Sequence, residues 1–156
     1  MTDSTSSFQI RPAAVSDAAV IAEFNCQLAA ETEGKTLDAE TVRQGVQALL
    51  ESPSRGRYFV AESAGQVIGQ IMHTLEWSDW RNGDIWWIQS VFVHSEHRRR
   101  GVFRALSQHL EELAKQTPGV VGIRLYVERE NDRAQQTYSS LGFDRAGYLV
   151  MERMFG

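Results

Sequence analysis

His97-Arg98-Arg99-Arg100-Gly101-Val102-Phe103-Arg104-Ala105-Leu106 decides how the rest of this chain is read. An apolar run, Ile85 to Val93, precedes it and suits a buried strand. Val102, Phe103, Leu106, Leu110 and Leu113 follow at helical spacing. The order is therefore strand, arginine-glycine turn, helix. The first turn of a helix presents amide groups that have no carbonyl behind them, at the positive end of the dipole. Gly101 lets the backbone approach a ligand closely, and Arg98, Arg99, Arg100 and Arg104 supply donors that match phosphate oxygens. Together they form a pyrophosphate cradle. The competing reading is a solvated arginine face ahead of an ordinary helix.

Composition narrows the ligand. The chain has 156 residues, 42% of them hydrophobic and 23% charged, which suits one soluble globular domain. Net charge is −4, so the arginines are a local positive patch on an acidic protein. Nucleic-acid binding would call for a broad basic footprint, and a small anion fits better. Cys26 is the single cysteine, so no intrachain disulfide forms, in keeping with a reducing cytoplasm. No apolar run is long enough to span a membrane, and Met1 to Ser7 lacks the regions of a signal peptide. Residues 1–7 read as a disordered tail and 8–156 as one domain.

Outward from the turn, the elements alternate. Phe8 to Ile10 reads as a short strand. Ser16-Asp17 starts a helix to about Ala30, and Gly34 stops it. Asp38 caps a second helix carrying Val42, Val46, Leu49 and Leu50. Strands follow at 58–62 and 67–75, joined by Ser63-Ala64-Gly65-Gln66. A polar-aromatic loop spans Glu76 to Asp84, ahead of the strand at 85–93. After the arginine turn and its helix, the strand at 120–127 places Val121, Ile123, Leu125 and Val127 on one face. Asn131-Asp132 starts a last helix, Gly142-Phe143 ends it, and a strand or pair of strands covers 143–155. The fold class is mixed α/β, in the order β-α-α-β-β-β-α-β-α-β(β), with six to seven strands and about four helices.

This order and three local signatures resemble the GNAT superfamily of acetyl-CoA-dependent N-acetyltransferases. Arg98-Arg99-Arg100-Gly101-Val102-Phe103 is similar to the family's pyrophosphate loop, departing from it at Phe103, where a small residue is usual. Asn131 to Tyr138, followed by Leu141-Gly142-Phe143, resembles the segment whose asparagine approaches pantetheine and whose tyrosine meets the thioester sulfur. Gln89-Ser90-Val91-Phe92-Val93 matches the strand end that splays from its neighbour. The resemblance implies a GNAT-type fold with a central mixed twisted sheet. It also implies acetyl-CoA as acyl donor, bound by Val91, Phe92, Val93, Arg98 to Arg104, Asn131 and Tyr138.

The chemistry asks for three services. Backbone amides of Val91 to Val93 would polarise the thioester carbonyl. Tyr138 would donate to the leaving thiolate, with a core tyrosine as the alternative. Glu76 is the first candidate for the base, Asp79 the second, and Glu31 and Glu33 the third. Trp77 and Trp80, with those carboxylates, suit a cationic amine. Gln89, in mid-strand, needs a polar partner and either lines the site or bonds within the sheet. No histidine pair has a metal-ligand spacing with a supporting carboxylate, so no metal is expected. Cys26 reads as a small buried hydrophobe. The expected partner is a small-molecule or peptide amine, with no nucleic acid and no membrane. The acceptor and the oligomeric state, a homodimer included, stay open. The alternative function is a non-catalytic CoA-binding or sensing module.

Overall fold

The computed structural model describes residues 7–156. The expected tail, apart from Ser7, lies outside the described residues. The described chain divides into two compact units, one up to Leu125 and one from Tyr126 to Gly156.

The first unit is built on one sheet. Its strands are β1 (Gln9–Pro12), β2 (Gly56–Ser63), β3 (Gln66–Ser78), β4 (Gly83–Val93) and β5 (Val120–Leu125), lying side by side in that order. β1 to β4 pair antiparallel, and β5 runs parallel to β4. The parallel junction follows from sequence: β4 and β5 are joined through a helix, α3 (Val102–Gln116). The other helices of this unit are α1 (Ala18–Glu33) and α2 (Ala39–Leu50). Asp38 caps α2 by accepting from the Thr41 amide at 3.0 Å, and Gly34 stops α1 at φ 62°. At the start of α1, Ser16 is not the cap: Asp17 holds the N-cap position without a side-chain cap bond, and its carboxylate instead accepts from the Ala14 amide at 2.7 Å, closing the 3₁₀ turn Val15–Asp17.

The helices bury opposite faces of the sheet. Ile21, Ala22 and Val46 of α1 and α2 pack with Tyr58 and Val60. On the other face, α3 turns Val102, Leu106, Leu110 and Ala114 inward. A Cβ on Gly69 would come within 3.2 Å of Val102 Cγ1, so α3 lies directly on β3. Each methylene buried this way contributes about 0.8 kcal/mol.

Three expectations from sequence are corrected. The sheet has five strands rather than six to seven, because residues 143–155 form no strand among the described residues. The polar-aromatic loop is shorter than the composition suggests. Glu76 pairs with Ile85, Trp77 with Asp84 and Ser78 with Gly83, leaving only residues 79–82 to turn the chain. Aromatic residues suit a pleated surface as well as a loop, and here the ladder holds them. Val121 does not point inward with its expected partners but is 48% exposed, and β5 ends before Val127.

The second unit contains one helix, α4 (Asp132–Ser140). Gly142 follows it at φ 95°, and the Phe143 amide donates back to the Tyr138 carbonyl at 3.0 Å. The glycine stop and its apolar partner therefore stand where the sequence puts them.

Candidate active site

β4 outruns its parallel partner. The last β4–β5 pair is Ile88 with Leu125. From Ser90 to Val93 the strand pairs with β3 alone. The change falls at a bulge, since Met72 pairs with Ser90 and His73 with Ile88, leaving Gln89 as the extra residue. Gln89 is therefore exposed rather than buried, and its Nε2 donates to Thr74 Oγ1 at 2.9 Å. Of the two readings left open for it, the bond within the sheet is the one observed. Past the bulge, the edge of β4 that faced β5 pairs with no strand among the described residues. Phe92 anchors the segment: its ring is buried, 5.0 Å from that of Phe24.

The arginine turn follows at once. Arg99 (φ 67°) and Gly101 (φ 81°) both take left-handed conformations, so the chain doubles back before α3. The first i→i−4 bond of α3 runs from the Ala105 amide to the Gly101 carbonyl at 3.0 Å. The amides ahead of it make up the first turn, the anion-binding end of a helix. Phe103 sits half-buried there. The arginines divide by role. Arg98 is turned back onto the protein: its Nε donates to the Val93 carbonyl at 2.9 Å, its guanidinium lies 5.5 Å from the Phe92 ring, and it pairs with Glu31 at 2.6 Å. Arg99 and Arg104 are exposed, and Arg100 is half-buried beside His97. A sequence motif cannot distinguish a guanidinium that braces the turn from one that points outward.

Side chains alternate along β3, which separates the acceptor candidates. Glu76 shares a face with Gln70 and Met72, the α1/α2 side; Trp77 projects to the other. Glu76 Oε2 accepts from Arg124 of β5 at 2.8 Å. Trp80 stands in the hairpin tip at 88% exposure, with Asp79 beside it. Glu31 belongs with Arg98, and Glu33 pairs with Lys35 at 3.5 Å. The residues expected to form one acceptor patch are thus distributed over separate places in the unit.

Sequence reading missed a polar chain on the α1 side of the sheet. Gln70 donates to Asn25 Oδ1 at 2.8 Å, and Asn25 donates to the Tyr58 hydroxyl at 3.0 Å. Burial pushes the Tyr58 hydroxyl above its ordinary range, against its hydrogen bonds. On the α3 side, His73 is buried and stacked 3.9 Å from the Trp86 ring, and burial holds its imidazole down at about 4. These residues look like ordinary helix and strand positions, so only tertiary packing brings them together.

In the second unit, Asn131 caps α4: its Oδ1 accepts from the Ala134 amide at 3.0 Å. Tyr138 is half-buried and meets Phe143 edge-on at 5.6 Å. Burial pushes its hydroxyl up to about 12. It is a phenol that keeps its proton and donates hydrogen bonds.

One cluster runs against the expectation of no metal-ligand set. Ligand atoms of His94, Glu96 and His97 lie within 4.8 Å of one another. A three-residue 3₁₀ turn, Ser95–His97, brings them together, and a short helical turn does not announce itself in sequence. His94 Nδ1 already accepts from the Glu96 amide at 3.2 Å, and His97 Nδ1 faces Arg100 at 3.2 Å. A neutral imidazole has one lone pair, so an ion here would have to displace those contacts. Cys26 is half-buried. No helix of the described residues is long and apolar enough to cross a membrane.

A mixed sheet whose fourth strand runs free into a glycine turn and helix N-terminus defines an acyl-transferase class of fold. Comparison with known families bears this out: residues 22–143 match the acetyltransferase (GNAT) family. The chain belongs to that family and is an N-acetyltransferase by class. Among solved structures it is similar to a possible acetyltransferase from Clostridium difficile 630, with 44% identity, a TM-score of 0.90, and coverage of 95% of this chain and 97% of that one. It shares its fold with a ribosomal-protein-alanine N-acetyltransferase from Brucella melitensis biovar Abortus 2308, at 17% identity, TM-score 0.76, and coverage of 96% and 100%. It also shares it with an aminoglycoside N-acetyltransferase in complex with CoA, at 16% identity, TM-score 0.79, and 95% of both chains. No curated protein matches.

Proposed function

We propose that this protein transfers an acetyl group from acetyl-CoA to a primary amine by direct attack in a ternary complex. The observation that carries the reading is the free edge of β4 past Gln89, leading straight into the left-handed turn at Arg99 and Gly101. An extended pantetheine arm needs strand-like partners, and a pyrophosphate needs a helix N-terminus. Both lie consecutively here. The phosphates would take the first-turn amides of α3 with Arg99, Arg100 and Arg104, while Arg98 braces the turn from behind.

In this reading the amine nitrogen attacks the thioester carbonyl. Amides of Val91 to Val93 receive the developing oxyanion. The carbon–sulfur bond then breaks. A thiol titrates near ~8.5. Tyr138, held up near 12, stabilises the thiolate by hydrogen bonding rather than by full proton transfer. Glu76, on the α1/α2 face with Thr74 and Gln89 near it, is the carboxylate to take the amine proton. Arg124 holds it in place through Oε2. Asn131 caps α4, the helix that carries Tyr138.

The test is release of free CoA thiol from acetyl-CoA across polyamines, amino acids, aminoglycosides and peptide N-termini. Turnover with at least one class is expected. Absence of turnover together with absence of cofactor binding overturns the reading. Binding without transfer, unaffected by Tyr138→Phe, would assign the chain to a non-catalytic CoA-binding role instead.

A further inference from the structure

Arg98 is gripped from three sides, and helix α1 supplies one of the grips. Its Nε donates to the Val93 carbonyl at 2.9 Å, its guanidinium lies 5.5 Å from the Phe92 ring, and its Nη2 donates to Glu31 Oε2 at 2.6 Å. The first two contacts come from β4, the strand that feeds the turn. The third comes from the last helical turn of α1. α1 reaches the same place a second time. Phe24, seven residues before Glu31 and so on the same helical face, packs on Phe92 at 5.0 Å. The helix is itself fixed close by. Asn25 accepts from Gln70 of β3 at 2.8 Å and donates to the Tyr58 hydroxyl of β2 at 3.0 Å. Gln70 and Tyr58 are buried, so breaking these bonds would strand polar groups away from water. Glu31 stands six residues further on, about 9 Å along the helix.

An exposed ion pair ordinarily contributes little, and the Arg98 and Glu31 side chains are 44% and 42% exposed. Two features set this pair apart. A carboxylate in the last turn of a helix works against the dipole, and α1 has no basic residue there to offset it. Arg98 is the counter-charge. The residue after Arg98 is the second feature. Arg99 is held at φ 67°, a left-handed conformation that a non-glycine residue keeps only where its surroundings over-determine it. Fixing Arg98 by its guanidinium as well as by its backbone supplies that constraint.

We propose that Glu31 is a positioning residue for acetyl-CoA binding: carried by α1 from its anchor at Asn25, it holds Arg98 against β4 and so presets the left-handed turn at Arg99 and Gly101. In the acetyl-CoA reading on which this rests, Arg98 gives the phosphates no direct contact. Glu31 therefore raises affinity for the donor, although it brings a negative charge toward an anion. Simple charge repulsion would give the opposite sign.

Calorimetry with CoA on the full chain reads that sign. Glu31→Gln keeps the shape and removes the charge. Its Kd for CoA should rise about fivefold, the upper range for an exposed pair, with Tm nearly unchanged. Arg98→Lys keeps the charge but cannot serve a carbonyl, a ring and a carboxylate at once, so its Kd should rise at least as much. The double variant should bind no more weakly than Arg98→Lys alone, since both substitutions act through one contact. In the ligand-free protein, the Arg98 Nε–H resonance should be protected from solvent exchange and should exchange faster in Glu31→Gln. A loss of packing elsewhere would not move that signal. An unchanged or lowered Kd in Glu31→Gln, additive losses in the double variant, or an Arg98 signal indifferent to the substitution overturns the inference and leaves the donor reading standing. A wild-type chain that binds no CoA overturns the donor reading, and the inference with it.

Discussion

The two units of this protein bury themselves very differently. Up to Leu125, helices cover both faces of a sheet, and Ile21, Phe59, Ile71, Leu106 and Leu110 are at most 1% exposed. From Tyr126 on, no residue is buried, and α4 is held by caps rather than by a core: Asn131 at one end, Gly142 and Phe143 at the other. The proposed donor cradle, β4 and the arginine turn, stands on the first kind of structure. The proposed thiolate donor, Tyr138, stands on the second. Preorganised amides need a rigid frame, because a donor displaced by an ångström loses most of its value. The difference teaches that the chain spends its packing on the unit that carries the proposed donor cradle.

Substitutions can press on that contrast. The largest effect is expected from Leu106→Ala, which empties part of the α3 core. Urea unfolding should show a loss of about 2–5 kcal/mol. Leu141→Ala in the second unit, where the side chain is only half-buried, should cost less than about 1 kcal/mol. Equal losses would erase the distinction between the units.

Next in size is Tyr138→Phe. It removes one hydroxyl from a half-buried ring, so folding should be nearly unchanged while kcat falls by about a hundredfold. A fall in stability without a fall in kcat would make Tyr138 a packing residue.

Acidification probes the first unit's core through His73. Its folded-state value near 4 lies below the ordinary ~6.5. The unfolded chain takes up a proton as pH falls through 6.5, and the folded chain only near 4. Stability is thus fully present above about pH 6.5 and is lost as pH drops toward 4, by about 2 kcal/mol at pH 5. Denaturation curves at several pH values check this, and His73→Gln should flatten the dependence.

The smallest effect concerns the turn. A Cβ at Gly101 meets nothing within 4 Å, so Gly101→Ala acts only through its left-handed backbone. About 1–2 kcal/mol of strain follows. If the strain relaxes by shifting the turn, calorimetry should show weaker binding of acetyl-CoA with little change in Tm.

Much of this was open to reading from residues alone. Strand, arginine-glycine turn and helix follow from composition and period, since apolar spacing and glycine's freedom act within a few residues. The α4 caps at Asn131 and Gly142 are local in the same way. The exposure of Gln89 was not legible because a bulge is a property of two strands in register, invisible in either one. Glu76, Trp77, Asp79 and Trp80 are neighbours in sequence, but the ladder extends to Ser78 and sends adjacent side chains to opposite faces, which no single strand reveals. The His94–Glu96–His97 cluster appears only when a 3₁₀ turn folds it.

Sequence by itself therefore determined the class of fold, the family and the turn proposed here for the donor, because those rest on local backbone preferences and short-range spacing. Tertiary structure decided which charges are already spoken for. Arg98 and Glu31 lie 67 positions apart and Arg124 and Glu76 lie 48 apart, yet each pair closes to within 2.8 Å. Partners so far apart in sequence meet only when the sheet is built, and a charged side chain's role depends on what it meets there.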